Sequence, residues 1–190
     1  GANGQVSPAQ VEASAGLIRN ASLLVMQLEC PLDAVAAAAR LARQAGVRVL
    51  LNPAPAASLP DELLSSVDFL VPNQSELAAL QPGLSLAQAA RRLHEKGVPV
   101  VLVTLGEEGV FVLAGGEEAH IPAFRVQAVD AVAAGDAFVG AFAVALAEGK
   151  SILEAARWGN AGGAIAVTRP GAQPSIPTRA ELLEFLEKNA

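Results

Sequence analysis

Tyrosine is absent from the 190 residues, tryptophan, cysteine and methionine occur once each, and aromatics make up 4 % of the chain. So few rings cannot build a stacking platform for bases. Positive charge is also scarce: 13 Lys and Arg stand against 19 Asp and Glu, for a formal charge of −6. No basic cluster exceeds the pair Arg91-Arg92, which argues against nucleic acid as a partner. A lone Cys30 cannot close an intrachain disulfide, and a free thiol of this kind is expected to be buried and inert. The two histidines, His94 in a polar helical segment and His120 in a hairpin, lack the neighbours of a metal site. Apolar runs such as 36–39 and 161–167 fall short of the roughly 20 residues of a membrane span. With no signal peptide visible, the chain is expected in the cytoplasm, without a membrane partner.

What the chain has is aliphatic: 52 % apolar residues, rich in Ala, Val and Leu. That suits helices packed closely on a sheet, and the length suits one domain over 1–190. Helical spacing over 8–19, 32–44, 61–65, 76–80 and 86–96 alternates with apolar runs at 23–28, 47–51, 69–71 and 98–103. Strands apolar on both faces, separated by helices, predict an α/β fold with a mostly parallel sheet and helices on both faces. Two segments at 109–113 and 118–121 flank Ala114-Gly115-Gly116-Glu117, predicting an antiparallel hairpin at one edge. Helices then follow over 136–147, 152–167 and 179–188.

The densest chemistry lies in Asp130-Ala-Val-Ala-Ala-Gly135-Asp136-Ala-Phe138-Val-Gly140. Phe124, Val126 and Val129 ahead of it read as extended chain, and Phe138, Ala141, Phe142, Ala145 and Leu146 behind it have helical spacing. A helix start carries unpartnered N–H groups and positive potential, and Ala133, Ala134 and Gly135 leave room for an anion to approach them. Asp136 adds a base at the same point, or serves only as a helix N-cap. Glu29, Asn52, Asn73 and Thr104 each follow a strand-like run, which predicts one rim with Asp136 at the strands' C-terminal ends, where open parallel sheets bind ligands. Singly, each has a plainer reading; Asn73, for one, could be the N-cap of the helix carrying Glu76.

The pattern D-x-x-x-A-G-D-x-F-x-G resembles the C-terminal signature of the ribokinase-like, or PfkB-type, carbohydrate kinases. Gln27-Leu28-Glu29, Asn52-Pro53-Ala54-Pro55, Pro72-Asn73-Gln74-Ser75-Glu76, Thr104-Leu105-Gly106 with Gly109, and Thr168-Arg169-Pro170-Gly171-Ala172-Gln173-Pro174-Ser175 are similar to that family in the same order. The resemblance implies an ATP-dependent sugar kinase acting on a pentose-like sugar. It implies that Asp136 is the catalytic base and that the N–H groups of Ala133, Ala134, Gly135 and Asp136 form an anion hole. It places Asn73, Thr104, Gly106, Gly109 and Asn160 around ATP, with Asn160 near the adenine, and points Glu29 toward the sugar. Asn73 and Glu76 match the family's N-x-x-E motif, linked to Mg²⁺ and phosphate. A monovalent cation, typically K⁺, is implied at Asp130, the Val132 carbonyl, carbonyls near Ala166, Arg169 and Gly171, and Ser175. The chain departs from the family at Ala131 and Val132, positions that are often Thr.

The family's members also carry roughly a hundred residues ahead of the position matching Gly1, with a lid and much of the sugar site. The chain is therefore expected to be a C-terminal portion with reduced or no activity, and to self-associate as a homo-oligomer. A non-catalytic nucleotide-binding module or folding fragment is the rival reading. Gly149-Lys150-Ser151 is no P-loop, because position 144 is Val and a helix precedes it. Gly159-Asn160-Ala161-Gly162-Gly163 has the wrong spacing for a dinucleotide fingerprint and predicts close helix packing instead. The absence of G-x-S-x-G disfavours a serine hydrolase.

Overall fold

The computed structural model describes residues 1–189. Four strands, β1 (Leu23–Met26), β2 (Arg48–Leu51), β3 (Phe69–Leu70) and β4 (Val100–Thr104), pair in parallel in that order. Strands β5 (Val110–Ala114) and β6 (Glu117–Ile121) continue the order as the antiparallel edge, so neighbours in the six-stranded sheet are consecutive in the chain from β1 to β6. The α/β reading from strand patterning is met, with each strand within two residues of its expected bounds.

The α-helices of the described residues are α1 (Pro8–Ala13), α2 (Ala15–Arg19), α3 (Leu32–Gln44), α4 (Asp61–Leu64), α5 (Gln74–Leu80), α6 (Leu86–Glu95), α7 (Ala134–Ala147), α8 (Ile152–Val167) and α9 (Arg179–Lys188). The single helix expected over 8–19 breaks at Ser14, whose ψ of 9° leaves the helical range. Five starts, those of α1, α5, α6, α8 and α9, close with reciprocal capping boxes that satisfy orphan N–H groups locally.

The chain divides into two compact units: Gly1–Val103 with Leu113–Glu118, and Thr104–Val112 with the described residues from Ala119 onward. In the first, α3 lies on β1 and β2, with α1, α2 and α4 against it. Its Ala34, Ala38, Ala39 and Ala42 are buried, and so short a side chain lets the helix approach the sheet closely. Val49, Leu50 and Leu51 are successive buried residues of β2, as a strand covered on both faces requires. In the second unit α7 packs along α8, and α9 packs on α8. Phe124, in that unit, meets the Phe185 ring of α9 edge-on at 5.1 Å.

Two further expectations fail. Residues 124–129 form no strand: Val129 is exposed, and its N–H and that of Asp130 donate to the Val167 carbonyl at 2.7 and 3.1 Å instead of to a sheet neighbour. Cys30 is half-buried rather than enclosed.

Candidate functional site

In the first unit Asn52 follows β2 directly, and the strand order puts β2 between β1 and β3. Asn52 is tied in by its N–H to the Met26 carbonyl at 2.9 Å and by Nδ2 to the Val71 carbonyl at 2.8 Å. Asn73 is the N-cap of α5, and the pair Asn73–Glu76 is fully reciprocal. The Glu76 N–H donates to Asn73 Oδ1 at 2.8 Å, while the Asn73 N–H and Nδ2 donate to the two Glu76 carboxylate oxygens at 2.8 and 2.9 Å. Glu76 is buried, which pushes its carboxyl up from the ordinary value; the Asn73 N–H opposes that shift. Each carboxylate oxygen still has a lone pair for the water of a hydrated cation. Glu29 is exposed and accepts from Asn3 Nδ2 at 3.4 Å.

The second unit holds a cavity of about 550 Å³, within the range of small-molecule pockets. Thr104, Gly106, Gly109, Ala134, Gly135 and Asn160 all line it. These six include all four residues of the unit that the family resemblance implies around ATP and two of the four that it implies at an anion hole. Positive φ at Gly106 (61°) and Gly109 (100°) explains why glycine serves at the loop after β4. The loop closes on itself through Leu105 N–H to the Gly109 carbonyl at 2.8 Å.

Helix α7 starts two residues earlier than its sequence suggests. Its N-cap is Ala133, held left-handed at φ 60° and ψ 7°, with no side chain capping the first turn. Asp136 is therefore not the cap but the third helical residue, exposed beside the uncapped start. Five other helices satisfy their first N–H groups with a neighbouring side chain; here the ends of those dipoles stand at a cavity wall instead.

Asp130 clasps two loops. Its Oδ1 accepts from the Val132 N–H at 3.0 Å and its Oδ2 from the Gly171 N–H at 2.9 Å. These two bonds, Gly171 first, hold its carboxyl below the usual range. The cation ligands that the family resemblance implies are all oxygens: Asp130, the Val132 carbonyl, carbonyls near Ala166, Arg169 and Gly171, and Ser175. The Ala166 carbonyl already accepts from the Arg169 N–H at 3.1 Å, and the buried Ser175 hydroxyl donates to the Ala172 carbonyl at 2.7 Å, keeping its oxygen lone pairs. An oxygen-only set with one carboxylate fits a hard monovalent cation. Among the described residues no group of three or more His, Cys, Asp or Glu could hold a metal ion.

Sequence reasoning missed the cavity's apolar floor, where Phe138, Gly163, Ala164 and Val167 line it from α7 and α8. The glycine run 159–163 was the available signal, and its expected packing role is correct as well. A Cβ at Gly159 would sit 2.7 Å from the Phe138 ring, and one at Gly162 would sit 2.7 Å from the Ala137 carbonyl.

Residues 1–179 match the model of the pfkB family carbohydrate kinases. The chain belongs to this family. Within the pfkB family it is similar to the ribokinase of Haemophilus influenzae, at 49 % identity over 98 % of the chain and 63 % of the relative. Among solved pfkB-type structures, the Thermotoga maritima ribokinase superposes with a TM-score of 0.91 at 38 % identity, over 97 % of the chain and 62 % of that protein. The Arabidopsis thaliana ribokinase solved with ribose and ATP gives 0.87 at 36 % identity, over 93 % and 59 %. The chain thus spans about three fifths of the length of these pfkB relatives.

Proposed function

We propose that this chain handles ATP in a sugar kinase of the ribokinase type, with a pentose-like sugar as acceptor. The observation that carries the reading is the uncapped start of α7 on the cavity wall, with Asp136 in its first turn. ATP with Mg²⁺ supplies the phosphoryl group and neutralises part of its charge. The N–H groups of Ala133, Ala134, Gly135 and Asp136 hold negative charge on the transferred group, and Asp136 takes the proton of the attacking primary hydroxyl. Thr104, Gly106, Gly109 and Asn160 shape the nucleotide cavity. Asn73 and Glu76 would hold water on Mg²⁺, and Glu29 would reach toward the sugar. Asp130, Ser175, the Val132 carbonyl and carbonyls near Ala166, Arg169 and Gly171 would hold K⁺, whose charge would supplement the bond from the Gly171 N–H to Asp130 that already joins the two loops. We also infer that the chain self-associates, because β1 ends the strand order with Val25 exposed and Leu17 lies bare in the same unit.

A coupled assay for ADP release with ribose, Mg²⁺ and K⁺ tests the reading against Asp136→Asn. The expected result is sugar-dependent turnover in the parent, lowered roughly 10²–10⁴-fold in the variant as loss of a general base requires, with ATP still raising the melting temperature of both. Exchanging K⁺ for tetramethylammonium should lower the parent rate. ATP-dependent stabilisation without any sugar-dependent turnover would replace the kinase reading with a nucleotide-binding module.

A further inference from the structure

We propose that Asn160 is a positioning residue, whose side-chain amide clasps the cavity wall at Ile121 and Pro122 against the glycine loop and so sets the cavity's shape before any ligand enters. Asn160 lies on α8, with 7 % of its surface exposed. Its Nδ2 donates to the Ile121 carbonyl and to the Pro122 carbonyl, both at 3.1 Å. An amide has two such hydrogens, and both are committed. The opposite orientation of the amide would set its oxygen against two carbonyl oxygens, so the chemistry fixes which atom faces the wall.

The wall needs such a clasp. Pro122 has no N–H, and residues 122–132 belong to no helix or strand, so no ladder holds this stretch in place. Yet it packs directly on the glycine loop. A Cβ added at Gly109 would overlap the Ile121 carbonyl oxygen and come within 2.6 Å of the Ala123 nitrogen and 2.7 Å of the Pro122 carbonyl carbon. Gly106, Gly109, Ala123 and Asn160 all line the cavity, so the clasp and both surfaces it joins border the same space. His120 Nε2 lies 2.8 Å from the Glu108 carbonyl and fastens the same loop one residue away. The family resemblance implies Asn160 near the adenine; in the structure its donors serve the protein, leaving a ligand only the amide oxygen.

The clasp stands on geometry alone, and only the nucleotide arm of its test rests on the ATP reading. In the ligand-free chain, NMR hydrogen exchange should show the Asn160 side-chain NH₂ slowed roughly tenfold or more relative to a free asparagine amide, as an intact pair of bonds would impose. Asn160→Asp keeps the shape and an oxygen but replaces the donors with a carboxylate facing two carbonyls. In that variant the Leu105 and Gly109 amides should exchange roughly tenfold faster while those of α9 are unchanged, and the ATP dissociation constant, read by calorimetry, should rise. An unprotected Asn160 amide in the parent overturns the proposal even if the variant fails to fold. Unchanged Leu105 and Gly109 exchange in a folded variant that has lost ATP affinity also overturns it, because Asn160 would then be a direct ligand contact. If the parent does not bind ATP, the nucleotide reading falls and the exchange results still decide the clasp.

Discussion

Glu181 is the carboxylate most strongly held by its surroundings. Its Oε1 accepts from Arg169 Nη2 at 2.6 Å, and its Oε2 accepts from the Thr178 N–H and hydroxyl at 2.8 and 2.9 Å. The Arg169 bond first, then the two Thr178 bonds, bring its carboxyl down to about 2. The folded value lies below the unfolded one, so this group stabilises the fold at pH above about 4.5 and loses that contribution as pH falls toward 2. Glu181→Gln should therefore weaken the chain at pH 7 and flatten its loss of stability between pH 5 and 2, as read by urea midpoints at each pH. Parallel profiles for parent and variant would show that the pair with Arg169 is not proton-linked to folding. The Thr178-x-x-Glu181 spacing marks a capping box in the sequence, but the partner at Arg169 is not marked, because nothing local links a helix start to a loop twelve residues earlier. Asp130 is a sharper case: its bond to Gly171 spans 41 positions, and only the family resemblance brought the two together.

At the scale of elements, α7 and α8 approach so closely that glycine is required on α8. A Cβ at Gly162 would meet the Ala137 carbonyl at 2.7 Å and the Ala141 methyl at 2.9 Å, neither of which can rotate away. Overpacking of this kind costs about 1–3 kcal/mol, whereas alanine's better helix propensity returns roughly 1 kcal/mol. Gly162→Ala should thus lower stability, while Gly140→Ala on α7, exposed and with open space around its added methyl, should raise it. Urea unfolding of the two variants checks the pair; a stabilising Gly162→Ala would mean that the helices part without cost. The elements were legible wherever burial repeats at a fixed period: α3, α8 and α9 match the expected bounds to the residue. The start of α7 was not, because Gly135-Asp136 has the look of a cap and a left-handed alanine leaves no trace in residue type. The 124–129 stretch misled for a related reason: its valines favour extended chain, but its terminal N–H groups are taken by the end of α8 rather than by a strand.

For the molecule as a whole, the open side of β1 is the feature with the clearest consequence in solution. All four residues of β1 keep some exposure and Leu17 is 80 % exposed, whereas every residue of β3 is buried. Sedimentation velocity over a range of concentrations should show a species larger than one chain, and a monomer at every concentration would remove the self-association reading. Among the described residues no helix is long and apolar enough to cross a membrane. The left-handed Ala133 also concerns the whole chain, since its conformation has to be maintained by everything packed behind it. An alanine in that region lies about 1–2 kcal/mol above its relaxed state, and a glycine there would carry no such penalty. A glycine would, however, leave the turn many shapes to choose among each time an anion arrived. With alanine the choice is made once, as the chain folds, so under the proposed kinase reading the turn would meet an anion already set, with no binding energy spent on ordering it.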